Sequence, residues 1–387
     1  FNIDIEVTSN DEFPTPDEAN YPVTAICLYD SKADSFVTFG IGSWDPELST
    51  VGSEVVERVK YVECADEYTL LKKFTMYWEA NSPHIVTGWN VDKFDMPYLY
   101  NRLEKIGIGC KVLSPWRKAY TRTIKSSRGE DMACQFAGIA IVDYMDKYKS
   151  NKIQDSYRLD NIATIELGEK KSLATSAMLD MSRVPFVEVD KLSNTVYDET
   201  GDEEFDRFAR VRAERVKIQE MLAEKADEKL ELLLKKKIRE EKKQAFQAFI
   251  TYNIQDVNLV KRLDEKLGLI DAQIMVAFTA CVNLDEVNGT VRTWDALINN
   301  EMFAENKIIP YHVHVQDEAG GIPGGHVKEP QVGKHGWCLS FDLNSLYPHL
   351  IMQFNISPET IKKDWKLWQY DSNDDRLDKL LAKTPLT

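Results

Sequence analysis

The chain has 387 residues, of which 43% are hydrophobic and 29% are charged, a composition typical of a soluble globular protein with two or three domains. It has no apolar run of about 18 residues and no signal-peptide pattern, so neither a membrane span nor secretion is expected. The net charge of −15 argues against a general nucleic-acid binder, because binding phosphates requires Lys and Arg. It still allows an enzyme that holds a strand end through metal ions in a carboxylate-rich site.

The first part of the chain alternates between strand and helix patterns. Residues 1–7 alternate apolar and polar side chains, as a half-buried strand does, and residues 22–30 and 35–41 have the composition of further strands. Residues 66–80 have helical spacing, and residues 84–90 form a short buried strand. Strands followed by covering helices are typical of an α/β domain. Because a core strand begins at the first residue, we expect a segment upstream of it or on another chain.

The next elements are mostly helical. A helix is predicted over 96–106, with Pro97 tolerated in its first turn, and residues 139–148 indicate a strand or the start of a helix. Residues 202–267 contain neither Gly nor Pro and carry a thin apolar stripe, which predicts one or two long helices. We interpret them as a solvated helical hairpin packed on its domain. The alternative is an arm that contacts DNA or a partner protein.

Cysteine and histidine spacing gives little indication of a zinc site. The six cysteines form no CxxC pair, which favours free thiols in a reducing compartment. His312 and His314 would share one face of a strand and form a candidate metal pair. No Cys or third His lies nearby to complete the site, so a structural role is preferred.

Two carboxylates in the first strand are candidates for chemistry. Asp4 and Glu6 stand two residues apart, so both side chains lie on one face while the apolar residues around them face the core. They could simply face water. Adjacent carboxylates repel one another unless a cation lies between them, however, and a divalent metal would give the arrangement a purpose.

Two later segments add further candidates. Asp95 stands at the start of a predicted helix, where it is either an ordinary N-cap or a third acidic ligand. Tyr252 and Asp256 are four residues apart on a helix and share a face. They could be a partly exposed pair, or a phenol and a carboxylate that both reach one water molecule, as a hydrolase requires.

Together and in this order, these residues resemble the three exonuclease motifs of the tyrosine-containing DEDD superfamily. The motifs are DIE at 4–6, NVDKFD at 90–95 and YNIQD at 252–256. The similarity is strongest to family B DNA polymerases, in particular those of T-even-type bacteriophages. The segments that carry it are GWNVDKFDMPY at 88–98, VDYMDKYK at 142–149, TYNIQDV at 251–257 and TWDALI at 293–298.

The C-terminal part resembles the first palm motif of the same family. FDLNSLYPHLI at 341–351 and FNISPETI at 354–361 carry this similarity, and residues 337–351 are predicted to form a strand, a turn and a helix start. The resemblance implies metal binding by Asp342 and the Leu343 carbonyl. It also implies nucleotide binding by the backbone around Ser345 and Leu346 and by the ring of Tyr347.

The resemblance implies an α/β fold with three parts. A ribonuclease-H-like exonuclease domain would cover 1–268, with a charged helical insertion at 203–249. A connecting segment would cover 269–313, and residues 314–387 would begin an α+β polymerase palm.

The resemblance also implies a two-metal mechanism. Asp4, Glu6 and Asp256 would hold magnesium, with manganese able to substitute, and Asp95 would complete the shell mainly through water. Two ions would stand ~3.5–4 Å apart, and Tyr252 would orient the attacking water. A frayed single-stranded 3′ end would contact Asn90 and stack on Phe94.

The expected function is therefore 3′→5′ proofreading exonuclease activity joined to an incomplete polymerase. No KxxxNSxYG finger motif and no DTDS motif is present, so the chain alone should not polymerise DNA. The alternatives are a non-catalytic module that needs a partner chain, and a stand-alone ribonuclease of the same superfamily. Expected partners are primer–template DNA, a chain carrying the remaining polymerase domains, and a sliding clamp, in the host cytoplasm.

Overall fold

The computed structural model describes residues 1–8, 14–126, 129–169, 185–186, 192–198, 200–224, 227–308, 327–357 and 360. The chain divides into two compact units, residues 1–311 and 312–387, and each is described by itself. None of the described helices is both long enough and apolar enough to cross a membrane. The candidate pair His312 and His314 lies outside the described residues.

A mixed six-stranded sheet forms the centre of the first unit. The strands of the unit are β1 (Asn2–Val7), β2 (Val23–Asp30), β3 (Ser35–Gly40), β4 (Val59–Glu63), β5 (Ile85–Gly88), β6 (Ala119–Ser126), β7 (Gly129–Phe136) and β8 (Ala140–Asp143). The sheet order is β4-β3-β2-β1-β5-β8, while β6 and β7 pair as a separate hairpin. Strand β1 is antiparallel to β2 and parallel to β5, so the first strand lies inside the sheet with a neighbour on each side.

Helices cover this sheet and extend beyond it. They are α1 (Ser53–Val56), α2 (Glu67–Asn81), α3 (Asp95–Ile106), α4 (Tyr144–Asn151), α5 (Leu159–Leu167), α6 (Glu203–Glu224), α7 (Glu228–Leu267), α8 (Leu269–Ala280) and α9 (Thr290–Ala304). The helices predicted over 66–80 and 96–106 are confirmed, as are the strands predicted at 1–7, 22–30, 35–41 and 84–90. Residues 139–148 contain both predicted elements, because β8 runs directly into α4.

The two faces of the sheet have separate cores because side chains alternate along each strand. On β2, Ile26 and Leu28 pack with residues of α2 and α3 in one core. Ala25 and Cys27, which alternate with them, pack in a second core with Phe249 and other residues of α7. The sheet thus lies between two helical layers, which confirms an α/β arrangement.

Helices α6 and α7 pack along each other and enclose a buried ion cluster. The side chains of Arg212, Arg215 and Glu241 are each 0% exposed. Arg212 Nε donates to Glu241 Oε1 at 2.7 Å, and Arg215 Nε donates to Glu241 Oε2. The two predicted helices are confirmed, but the expected thin apolar seam is wrong in part, because the contact also holds two arginines paired with one glutamate.

The described part of the second unit contains one helix, α10 (Leu346–Phe354). The predicted turn and helix start are confirmed, with residues 344–345 in the turn. The strand predicted from 337 is wrong within the described residues, since 337–343 have no regular structure. A strand needs a hydrogen-bonded neighbour, and no described strand pairs with this segment.

Candidate active site

Strand β1 presents two carboxylates on one face. Ile3 and Ile5 are buried in the core shared with α2 and α3, while Asp4 and Glu6, which alternate with them, are only partly buried. The predicted period-two arrangement is therefore confirmed. Asp4 stands opposite Cys27 of β2, so the carboxylates project from the sheet face that α7 covers.

Helix α3 brings a third carboxylate to this strand. Asp95 is its first residue, and Phe94 is the N-cap, so the interpretation of Asp95 as the N-cap is wrong. The Asp95 carboxylate is buried, and its Oδ1 accepts a hydrogen bond from the Ile5 backbone N–H at 3.0 Å. Ile5 stands between Asp4 and Glu6 in β1, so this bond joins Asp95 to the middle of the acidic pair.

Helix α7 supplies the remaining candidates. Tyr252 and Asp256 lie one helical turn apart and line the same cleft, which confirms the shared face expected from their spacing. Asn253, fully buried beside Tyr252, donates from Nδ2 to Asp4 Oδ2 at 2.6 Å. This bond links the helix directly to the first strand.

These segments meet at an open cleft of ≈ 440 Å³. All the residues predicted for the exonuclease site line it, namely Asp4, Glu6, Asn90, Phe94, Asp95, Tyr252 and Asp256. Pro16, Trp89 and Lys93 also contribute to its wall. Segments as far apart in the chain as those of Asp4 and Asp256 therefore converge on one concave surface, as small-molecule and catalytic sites do.

The carboxylates raise one another's affinity for protons. The pKa of Asp4 lies well above its usual range, first because burial removes water and then because Glu6, Asp95 and Asp256 are negatively charged. The hydrogen bond from Asn253 acts in the opposite direction. Burial also raises the pKa of Asp95 to about 7, against the effect of its hydrogen bond from β1.

The Tyr252 hydroxyl lies within the field of the same acids. Burial raises its pKa most, and the charges of Asp256, Glu6 and Asp4 raise it further. The phenol therefore stays protonated at neutral pH and has a proton to donate. Tyr252 lines the same cleft as these three acids.

The donor set suits a hard divalent cation, because it consists of clustered carboxylate oxygens whose mutual repulsion a cation would relieve. Even so, no group of three His, Cys, Asp or Glu side chains in the described part of the chain has the arrangement of a finished metal site. Two observed hydrogen bonds orient carboxylates of this set. One oxygen of Asp95 faces the β1 backbone, and one oxygen of Asp4 faces Asn253.

Sequence reasoning missed several residues of the site. Asn253 lies inside the third motif and Lys93 inside the second, but neither was assigned a role. Trp89 adds an aromatic wall, and its Nε1 donates to the Tyr157 carbonyl at 3.1 Å. A count of charged and aromatic residues within the motifs would have identified Lys93 and Trp89. The contact of Asn253 with Asp4 depends on the fold.

The predicted palm residues form a separate set in the second unit. Asp342 and Leu343 lie in irregular chain before α10, Ser345 is the residue before its first turn, and Leu346 and Tyr347 begin the helix. Their side chains are exposed. Ser345 has φ 52°, a left-handed conformation that is uncommon outside glycine.

Comparison with known proteins identifies two family segments. Residues 1–162 match the model of the exonuclease domain of DNA polymerase family B. Residues 291–383 match the model of DNA polymerase family B. The first range includes Asp4, Glu6 and Asp95, and the second includes the predicted palm residues. Tyr252 and Asp256 lie between the two ranges.

Curated relatives extend the similarity over most of the chain. The DNA-directed DNA polymerases of Escherichia phage RB69 and Enterobacteria phage T4 are 32% and 30% identical over 390 aligned residues, 95% of this chain. A DNA polymerase catalytic subunit of human herpesvirus 6A is 22% identical over 94% of the chain. The chain spans only 36% of the length of each phage polymerase. The chain therefore carries, in this order, an exonuclease-domain segment and a polymerase segment of DNA polymerase family B.

Proposed function

We propose that the first unit is a 3′→5′ exonuclease that hydrolyses phosphodiester bonds at single-stranded DNA ends. The proposal rests on one observation, the convergence of Asp4, Glu6, Asp95 and Asp256 with the Tyr252 hydroxyl on a single cleft. Its ribonuclease-H-like topology, and its proofreading role beside a polymerase, are part of the same proposal and are supported by the family. A location in the cytoplasm of an infected host is also part of the proposal.

Asp4, Glu6 and Asp256 would hold two divalent cations, with Asp95 completing the shell through water. Magnesium suits oxygen donors of this kind, and manganese should substitute. Such ions supply electrostatic stabilisation of the attacking and leaving oxygens in an in-line displacement. The observed hydrogen bonds of Asp4 and Asp95 hold two of these carboxylates in place before any ion binds.

The protein itself orients the water and the strand end. Tyr252 offers a protonated hydroxyl among the acids, suited to hold a water molecule in line with the scissile phosphate. Phe94 and Trp89 line the cleft and offer ring faces on which unpaired bases can stack.

The test is hydrolysis of a 5′-labelled single-stranded DNA with magnesium. We expect products that shorten one nucleotide at a time, loss of activity with a chelator, and near-complete loss in Asp4→Ala. Asp34→Ala is the matched control, because Asp34 is an exposed acid that pairs with Arg58 on the surface. Activity in Asp4→Ala equal to that of the parent chain would refute this site.

The same assay separates the alternatives. A chain that binds the strand but never cleaves it would be the non-catalytic module. Preference for RNA over DNA of the same sequence would instead indicate a ribonuclease. Polymerisation is expected only after a chain carrying the missing finger and palm motifs is added, because two-metal nucleotidyl transfer needs a second palm carboxylate.

A further inference from the structure

One lysine belongs to the wall of the acidic cleft. Lys93 lies between Asn90 and Asp95, and no other Lys or Arg appears among the cleft-lining residues that the structure describes. The other charged residues of the wall are carboxylates. A DNA strand brings one negative charge with each phosphate, so it meets repulsion at every charged side chain of the wall except Lys93.

A neighbouring helix holds the ammonium group in place. Lys93 Nζ donates to Asp146 Oδ2 at 2.7 Å, and the two side chains are 40% and 43% exposed. Such an exposed pair contributes little to stability, and its effect is to restrict where the ammonium can lie. An ammonium has three N–H donors and Asp146 accepts one, which leaves donors for a phosphate oxygen.

A buried carboxylate fixes the geometry of this pair. Asp143 Oδ2 accepts from the backbone N–H of Asp92, and its Oδ1 accepts from the backbone N–H of Asp146, both at 3.2 Å. Asp143 is 8% exposed. Asp143 thus bonds both to Asp92, which precedes Lys93, and to Asp146, which pairs with Lys93. The ammonium group is therefore positioned in the cleft wall before a DNA strand binds.

We propose that Lys93 is a positioning residue that binds a phosphate of the single-stranded DNA while the adjacent Phe94 takes a base. This inference rests on the proposed exonuclease function. Asp146 restrains the ammonium but accepts only one of its three N–H donors. Lysine acts here as a point charge, so its contribution is to strand binding and not to the chemical step.

The test compares Lys93→Ala with the parent chain on single-stranded oligothymidylate. We expect KM to rise about five-fold while kcat stays within about two-fold, because a phosphate contact acts on binding. The slope of log(kcat/KM) against log salt should become shallower by about 0.7, the value for one lost contact to a single strand. Lys93→Arg should restore most of both quantities.

Lys149→Ala is the matched control. Lys149 also approaches Asp146, at 3.7 Å, but it does not line the cleft, so KM and the salt slope should not change. Fluorescence anisotropy of the same oligonucleotide in chelator measures binding without hydrolysis. An unchanged affinity and salt slope in Lys93→Ala would overturn the proposal for Lys93 even if the chain is a fully active exonuclease. Weaker binding in Lys93→Ala would support it even if hydrolysis were absent.

Discussion

Asn253 Nδ2 donates a 2.6 Å hydrogen bond to Asp4 Oδ2, joining helix α7 to the central strand β1. The bond selects which oxygen of Asp4 faces the helix and which remains for the cleft. It also opposes the burial and charge repulsion that raise the pKa of Asp4. The carboxamide is fully buried, so solvent cannot replace it when it is removed.

Asn253→Ala should weaken metal use without removing any proposed ligand. We expect the magnesium concentration for half-maximal exonuclease activity to rise about 10-fold, because outer partners of metal ligands typically contribute 10- to 100-fold. Titration of activity with magnesium measures this. Gln255→Ala on the same helix is the control, since Gln255 does not line the cleft. An unchanged magnesium requirement in Asn253→Ala would show that this bond does not orient Asp4.

Tyr252→Phe should lower kcat by about 10²-fold with little change in KM, the size of effect expected when one positioned proton-transferring group is lost. The ring remains to fill the wall, so only the hydroxyl among the carboxylates is removed. Steady-state rates on single-stranded DNA give both constants. Tyr29→Phe serves as the comparison, because its hydroxyl contacts Asp34 on the surface. Full activity in Tyr252→Phe would exclude a role for the hydroxyl.

Gly88→Ala should damage both stability and activity. A Cβ at Gly88 would lie 2.4 Å from the Ile3 carbonyl oxygen, and a backbone atom of β1 cannot move aside without displacing Asp4. We expect a loss of about 1–3 kcal/mol in the free energy of unfolding, as for other overpacked sites. Gly52→Ala meets no atom within 4 Å and should stay within about 0.5 kcal/mol. Urea unfolding of both variants distinguishes these outcomes, and equal stability would contradict the close approach.

Glu204 should make stability depend on pH. Burial raises its pKa from the ordinary 4.5 to about 7, although Gln247 and Thr251 donate hydrogen bonds to it. The native state then binds this proton more tightly than the unfolded state. The stabilisation is fully present below about pH 4.5 and is lost as pH rises through about 7.

Glu204→Gln keeps an acceptor for both donors but cannot titrate. Relative to this variant, the parent chain should gain stability as pH falls from 8 to 5, with a slope of at most about 1.4 kcal/mol per pH unit. Urea unfolding at several pH values measures the difference. Glu57→Gln at an exposed position should show no such trend. Parallel curves for Glu204→Gln and the parent chain would contradict the raised pKa.

Short-range patterns were the part of the fold that could be predicted from sequence. The alternation around Asp4 and Glu6 and the four-residue spacing of Tyr252 and Asp256 each follow from one element's geometry. Strand β4 and the β6–β7 hairpin were missed. Strand β4 is only partly buried along its length, and β6 has a largely polar sequence, so neither shows the contrast between faces that predicts a strand.

Contacts between elements could not be predicted from any one pattern. Glu241 meets Arg212 and Arg215 across two helices, and each of these residues resembles a solvated charge within its own helix. Likewise, the bond from Ile5 to Asp95 depends on how α3 meets the sheet. The residues predicted for the exonuclease site do line one cleft, and their roles stay predictions, while the alternative that made Asp95 the N-cap was wrong.

Strand β1 pairs with β2 along its length and with β5 at Asn2, and the Ile5 N–H is bonded to Asp95. Its amide hydrogens should therefore exchange with solvent only in the rarest openings, together with the rest of the sheet. We therefore expect Asp4 and Glu6 to stay in place until the sheet itself opens, whereas Asn90 and Lys93 lie on a connecting turn. Substitutions in that turn should change the proposed binding of a DNA strand end while Asp4 and Glu6 keep their positions.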